Sequence, residues 1–275
     1  MKAWRDNPKG VNVKEQARSK CRSTTAALAV LAALAAAPTW AATELNPDAD
    51  EILKSMSTFL AGTRAFSVSV AIGNEVVTKE GEKLQFNSSA MLVVQRPSHV
   101  YVARQGRFAD IELFYDGKVV TLYGKSLNAY LRKDVAGTMD DAIAAIESAV
   151  GIDLPGTDLL RADPYAVLSE GVTSSGYHGT DYVDGVQSHH LSFREDQVDW
   201  QLWVKAGDEP LPMKYVITTK WTTGAPQYSV QFSNWNLAPV IAGDRFTFVV
   251  PQGAQKLDTL PVDEAGEIQQ DKGEN

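Results

Sequence analysis

One cysteine in 275 residues removes disulfides, thiol catalysis and thiolate metal sites from consideration. That residue, Cys21, stands ahead of the one extended apolar run rather than at its end, so it is not placed to carry the lipid of a bacterial lipoprotein. The run itself, "AALAVLAALAAAP" from Ala26 to Pro38, falls short of the about 20 apolar residues needed to cross a bilayer. Histidine is scarce, with four in the chain. The Gly-x-Ser-x-Gly elbow, the Walker loop, HExxH and the dinucleotide fingerprint are all absent, which leaves the common hydrolytic and nucleotide chemistries without their frames. No internal repeat and no Pro/Gly/Ser-rich linker divides the chain, so a single domain is expected.

Positive charge is concentrated where it does not belong to a fold. Lys2, Arg5, Lys9, Lys14, Arg18, Lys20 and Arg22 precede the apolar run, and the small residues of "PTWAAT" follow it, the pattern of a secretory signal over residues 1–41 cleaved after Ala41 or Ala42. Its removal leaves 19 basic and 32 acidic residues, a net charge of −13, which repels phosphate backbones and anionic headgroups. Nucleic acid is therefore excluded as a partner, and stable membrane insertion after cleavage is not expected. An exported domain without disulfides relies on its own apolar core, for which about 230 residues are ample. The last residues, 257–275, are acidic and without apolar period, and read as a disordered tail; the folded domain is expected over 45–256.

"NPDADEILKSMSTFLAG" carries Ile52, Leu53, Met56, Phe59 and Leu60 at helical spacing, with Asn46 or Asp48 as cap and Gly62 as stop. The period then changes to two: Phe66, Val68, Val70 and Ile72 alternate with small residues, and Leu84, Phe86, Leu92 and Val94 share a face of the next segment up to Arg96–Pro97. Short strands follow in "HVYVARQG", "DIELFY", "KVVTLYG" and "NAYLRKDV", with Asp116–Gly117 as a hairpin turn. "TMDDAIAAIESAVG" interrupts them as a Thr-capped helix, and Pro164–Glu170 as a second, before strands resume in "GTDYVDG", "QSHHLSFR", "VDWQLWVK", "MKYVITTKW", "QYSVQFSNW" and "RFTFVV". The expected fold is mainly β (α+β): a curved antiparallel sheet of about eleven strands forming an open half-barrel, closed by helices.

In "VDWQLWVK", Val198, Trp200, Leu202 and Val204 fall on one face and Asp199, Gln201, Trp203 and Lys205 on the other, so the two tryptophans point to opposite sides. Met213, Tyr215, Ile217, Thr219 and Trp221 share a face of the partner strand. Such aromatics build either a filled core or the wall of a cavity. On face alternation alone, the candidate lining of a cavity is Phe66, Phe86, Leu92, Leu113, Tyr115, Tyr123, Phe193, Trp200, Leu202, Tyr215 and Phe232.

"MLVVQRPSHVYVARQG" with "LFYDGKVVTLYGKSLNAYLR", and the stretch from "DGVQSHHLSFREDQVDW" through "SVQFSNWNLAPVIAGDRFTFVVPQGAQKL", resemble the two halves of the domain of unknown function 2092, a family of predicted periplasmic proteins. The order of elements is also similar to the LolA and LolB lipoprotein carriers and to RseB-like sensor domains. The resemblance implies a periplasmic half-barrel around a hydrophobic cavity for acyl chains, with the mid-chain helices as its lid. LolA-type carriers use an arginine near the entrance helix, and Arg64 stands in that region of this sequence.

Three readings follow. The first is a non-enzymatic periplasmic carrier, without cofactor, holding a lipid or acyl chain. The second is an envelope sensor or protein-interaction module with a filled core. The third, a metal-dependent hydrolase, rests on "YHGTDYVDGVQSHH", which gathers His178, Asp181, Asp184, His189 and His190. It requires His178 and His189 to converge, and adjacent His189 and His190 point to opposite faces of a strand.

Overall fold

A computed structural model of the chain describes residues 45–107, 110–150 and 156–259. The expected signal segment and residues 260–275 of the expected tail lie outside the described residues.

Asn46 caps the first helix, α1 (Pro47–Gly62), its Oδ1 accepting from the Ala49 N–H at 3.0 Å, with proline in the first turn where no donor is lost. The helix buries Ala49, Leu53, Met56, Ser57 and Leu60. Two long strands follow, β1 (Ala65–Val77) and β2 (Lys83–Gln95), then β3 (His99–Gly106), β4 (Asp110–Tyr115), β5 (Val119–Gly124) and β6 (Ala129–Asp134) as an antiparallel meander. Next come α2 (Met139–Val150), a 3-10 turn (Thr157–Leu160) and α3 (Pro164–Ser169). A second meander, β7 (Ser174–Val183), β8 (Val186–Arg194), β9 (Val198–Lys205), β10 (Pro212–Thr219) and β11 (Gln227–Asn236), returns to pair β11 with β1.

The result, with a short β12 (Gln255–Leu257), is one curved, open sheet in the order β12-β6-β5-β4-β3-β2-β1-β11-β10-β9-β8-β7, not closed into a barrel. Twelve strands are found among the described residues, against the expected eleven or so; the three-residue β12 runs parallel to β6. The expected strand "RFTFVV" is not one. Residues 245–250 cross the outer face of the sheet without strand pairing: Phe246 packs against His99, and Phe248 against Phe114, Tyr123 and Tyr130. Its alternating phenylalanines mimic a strand because both reach down onto the same apolar outer surface. Phe246→Ala removes a side chain buried with Val93 and Tyr101, and an expected loss of about 2–3 kcal/mol, at or below the low end for buried phenylalanine, is readable as a lower midpoint in urea.

On the inner face the strand alternation closes a continuous core. Phe66, Val68, Val70 and Ile72 of β1 meet Val94, Val100, Tyr115, Val120, Leu122 and Leu131 on one side and Val230, Phe232, Tyr215, Trp200, Leu202, Leu191 and Phe193 on the other. A bulge between Pro212 and Lys214 shifts the register, so Met213 lies on the outer face with Trp203, Val183 and Val216 while Tyr215 lies inside.

Candidate functional site

The three helical pieces after β6 form one lid. Thr138 and Asp141 make a reciprocal cap at the start of α2: the Thr138 N–H donates to Asp141 Oδ2 at 2.7 Å and the Asp141 N–H to Thr138 Oγ1 at 3.4 Å. Those hydrogen bonds hold the Asp141 carboxyl below its ordinary pKa. Downward, α2 presents Met139, Ala142, Ile143, Ile146 and Val150, the 3-10 turn presents Leu159, and α3 presents Leu168. The pieces are tied to one another by Arg161, paired with Glu147 at 3.0 Å, and by Asp140, which accepts from the Ala162 N–H at 3.0 Å. Tyr165 ties the lid to α1 by donating to Asp50 Oδ1 at 2.7 Å, and that hydrogen bond to the carboxylate raises the Tyr165 pKa.

Arg96, the residue that follows β2 and precedes Pro97, ties the lid to the sheet. Its guanidinium donates to the Leu160 carbonyl at 2.9 Å and to that of Arg161 at 3.4 Å. Burial lowers the Arg96 pKa, and the charge of Asp140 works in the opposite sense. Its Nε and second terminal nitrogen are buried without a partner among the described residues. Arg64, which stands in the region of the carriers' arginine, has an exposed side chain, and its carbonyl accepts from the Arg96 N–H at 2.8 Å. The arginine under the lid was legible only as the residue before a proline.

Of the candidate lining residues, Phe66, Tyr115, Phe193, Trp200, Leu202, Tyr215 and Phe232 are buried in the inner core, and Leu92 and Leu113 are half-buried against it. Phe86 shares the face of Leu92 by strand parity but sits near the hairpin end of β2, half-buried and outside that core. Tyr123 is on the other side. Val120 and Leu122 point inward, so Tyr123 points out, against Phe248, with its hydroxyl on Asn128 at 2.9 Å. Face alternation misassigned it because the crossing segment makes the outer face apolar as well.

One small cavity lies within the inner core. A cavity of about 20 Å³ lies between Leu60, Phe66, Leu92, Leu159, Leu160, Phe232 and Trp235. That volume holds about one water, whereas ligand pockets run to about 300–1,000 Å³. The lid's apolar underside packs into the inner core around it.

Polar groups are few within. Trp200 stacks on Phe193 with ring centroids 3.9 Å apart and donates its indole N–H to Glu195 Oε1 at 3.0 Å; Lys220 donates to the Glu195 carbonyl. Asp158, on the 3-10 turn, is also buried. The Tyr215 hydroxyl has no hydrogen-bond partner among the described residues. Burial pushes its pKa well up, and the charges of Asp158 and Glu195 add to the shift. Burial likewise raises Tyr115 and Tyr228, and burial followed by the Glu112 hydrogen bond takes Tyr101 to about 12. Tyrosine titrates near 10 when unfolded, so these groups leave stability intact below about pH 10 and remove it as pH rises toward 12. Thermal midpoints measured from pH 8 to 12 are expected to be level at first and then to fall, in step with tyrosinate absorbance.

The histidine cluster divides between the faces. His189 lies inside, its Nδ1 3.0 Å from the Tyr177 hydroxyl. His178 and His190 lie outside, rings 4.9 Å apart, with His190 stacked on Trp203 at 4.2 Å. Asp181 accepts from the Trp203 indole at 2.9 Å, which lowers its pKa, and Asp184 opens the β7–β8 turn with φ 49°. His178 and His189 therefore do not converge, and the hydrolase reading loses the geometry it required. Among the described residues, no three His, Cys, Asp or Glu side chains gather as a metal site.

Residues 49–260 match the family described as predicted periplasmic protein (DUF2092). The chain belongs to that family. Among the described residues, no helix is long and apolar enough to cross a membrane. No curated protein matches the sequence. Similar solved structures include an uncharacterised conserved protein from Thermus thermophilus (12% identity, TM-score 0.47, covering 76% of this chain and 98% of the other) and LprF from Mycobacterium bovis (16%, 0.43, 76% and 98%). A LolA superfamily protein from Nitrosomonas europaea is similar at 11% identity and TM-score 0.33, over 73% of this chain and 97% of the other. At these identities no residue of a neighbour's site is carried over to this DUF2092 chain.

Proposed function

We propose that this DUF2092 protein is an exported, non-enzymatic binding protein of the periplasm that takes up an apolar ligand, a lipid or acyl chain, by exchanging it for the underside of the lid. Residues 1–41 are its signal segment. The observation that carries the reading is the lid itself: its apolar side chains plug an aromatic half-barrel, and its polar ties to α1 and the sheet include single side chains, Tyr165 and Arg96. Lifting the lid exposes the inner faces of Phe66, Leu92, Leu113, Tyr115, Phe193, Trp200, Leu202, Tyr215 and Phe232, which are the assigned lining, with Phe86 at the rim. Each methylene buried there contributes about 0.8 kcal/mol, so it takes a long acyl chain, rather than a few carbons, to offset the lid's lost packing.

The second reading, an envelope interaction or sensor module with a filled core, is favoured by the cavity of about 20 Å³. The two separate in one experiment. Mature protein purified from its own periplasm is weighed by native mass spectrometry, extracted with organic solvent, and titrated with acyl lipids. A co-purifying or titrating lipid mass is expected. A clean apo mass that stays unchanged at saturating lipid withdraws the carrier reading in favour of the filled core.

A further inference from the structure

We propose that His178 and His190, on the outer face of β7 and β8, form a binding site for a divalent transition metal, with copper(II) held more tightly than zinc(II). The site is separate from the half-barrel interior and does not depend on what that interior binds. Two of the chain's four histidines meet there because β7 is bulged between Tyr177 and Thr180. The bulge sets His178 beside His190, with ring centroids 4.9 Å apart. Two imidazoles sharing one ion at about 2.1 Å from each nitrogen have ring centres roughly 5 Å apart, so this spacing needs little adjustment. His178 is exposed and His190 half-buried, which leaves the pair open to solvent.

The hydrogen bonds around the pair prepare both rings as ligands. His190 Nε2 lies 2.9 Å from Gln201 Oε1, which only accepts, so Nε2 carries the proton and Nδ1 keeps its lone pair. His178 Nε2 lies 2.7 Å from Ser192 Oγ, which accepts from the same tautomer. Metal-bound imidazoles are held in this way, with one nitrogen on the ion and the other donating to an oxygen. Trp203 fixes the plane of His190, stacking on it at 4.2 Å and within 9° of parallel. The Trp203 indole also donates to Asp181 Oδ2, and the Tyr182 N–H donates to Asp181 Oδ1 at 2.7 Å. That holds a carboxylate in the electrostatic field of His190, where it favours a cation. Lys214, over the Trp203 ring at 5.1 Å, offsets part of its charge. Two imidazole nitrogens completed by water require no third protein ligand, in keeping with the absence of a three-residue cluster among the described residues. Nitrogen and oxygen donors without thiolate suit copper(II), which binds most tightly of the divalent first-row ions to such sites.

The test titrates the full mature chain, free of any affinity tag, with copper(II) chloride in a non-coordinating buffer, read by calorimetry and by electron paramagnetic resonance of the bound ion. One ion per chain, coupled to two imidazole nitrogens, is expected, with zinc(II) chloride binding more weakly. His178→Ala and His190→Gln are each expected to weaken copper binding at least tenfold, while His189→Gln, on the inner face, changes it less than twofold. Gln201→Leu keeps both imidazoles but removes the acceptor that sets the His190 tautomer, and is expected to weaken binding about tenfold. The nitrogen couplings are read on the unaltered chain, so the proposal stays open to refutation even where a variant fails to fold. No copper binding, couplings to fewer than two nitrogens, tighter binding of zinc, or affinity that survives both histidine variants would each overturn it. Affinity unchanged in Gln201→Leu would do the same, since it marks an adventitious ion only.

Discussion

Trp200→Ala is expected to lower stability by about 3–5 kcal/mol, the range for truncating a large buried aromatic. The indole is 1% exposed, stacked on Phe193 and edge-on to Tyr215 at 5.7 Å, so no solvent-facing collapse can refill the space. The substitution also takes a donor from Glu195, whose side chain stays buried, and the loss of that buried hydrogen bond adds to the cavity term. For a domain of this size each kcal/mol moves the thermal midpoint by about 2–4 °C, which places the variant about 6–20 °C below the parent. Urea unfolding with an unchanged slope would attribute the loss to the native state. Trp200→Phe keeps much of the ring but not the N–H, and is expected to fall between the two. A loss below about 1 kcal/mol for the alanine variant, well under the usual range for such a truncation, would mean that the interior is already wet or open, contrary to the packing of Trp200 described above.

The same residue shows how far the sequence could be read. Period-two alternation put Trp200 inside and Trp203 outside, and the sheet places both so, because β8, β9 and β10 run through that stretch with only one bulge. The bulge at Pro212–Lys214 sent Met213 to the other face, and no sequence period records a one-residue slip. Tyr123 and "RFTFVV" failed for a shared reason. Alternation assumes that one face of a strand meets solvent, and here a segment from the far end of the chain covers it, joining Phe248 to Tyr123 and Tyr130. Long-range coverage is not a local signal. The inner wall was therefore legible in outline, while its polar interior was not: no motif or period in the sequence singles out Glu195 and Asp158, which the fold buries.

Arg96→Met carries the second large expected effect, on opening rather than on global stability. Hydrogen bonds from a charged donor are worth about 1.5–3 kcal/mol each, and this side chain gives one at 2.9 Å and a weaker one at 3.4 Å to carbonyls of the lid. Methionine fills similar space and frees the site from burying a charge, a change that favours the sheet but does nothing for the two carbonyls. Those carbonyls go without a partner while the lid is closed and hydrate when it lifts. The closed state therefore loses more than the open one, and the open population is expected to rise by roughly tenfold, the equivalent of about 1.4 kcal/mol. Amide hydrogen exchange should quicken by that factor in Met139–Val150 and Pro164–Ser169 and stay unchanged in the central strands β1 and β11. An uncharged apolar probe should enter faster by a comparable factor, because entry waits on the lid. Unchanged exchange would remove Arg96 as the tie between lid and sheet. Faster exchange with no probe entry would separate the two functional readings, since a lid that opens over a half-barrel without admitting an apolar molecule belongs to a core that is filled for its own sake.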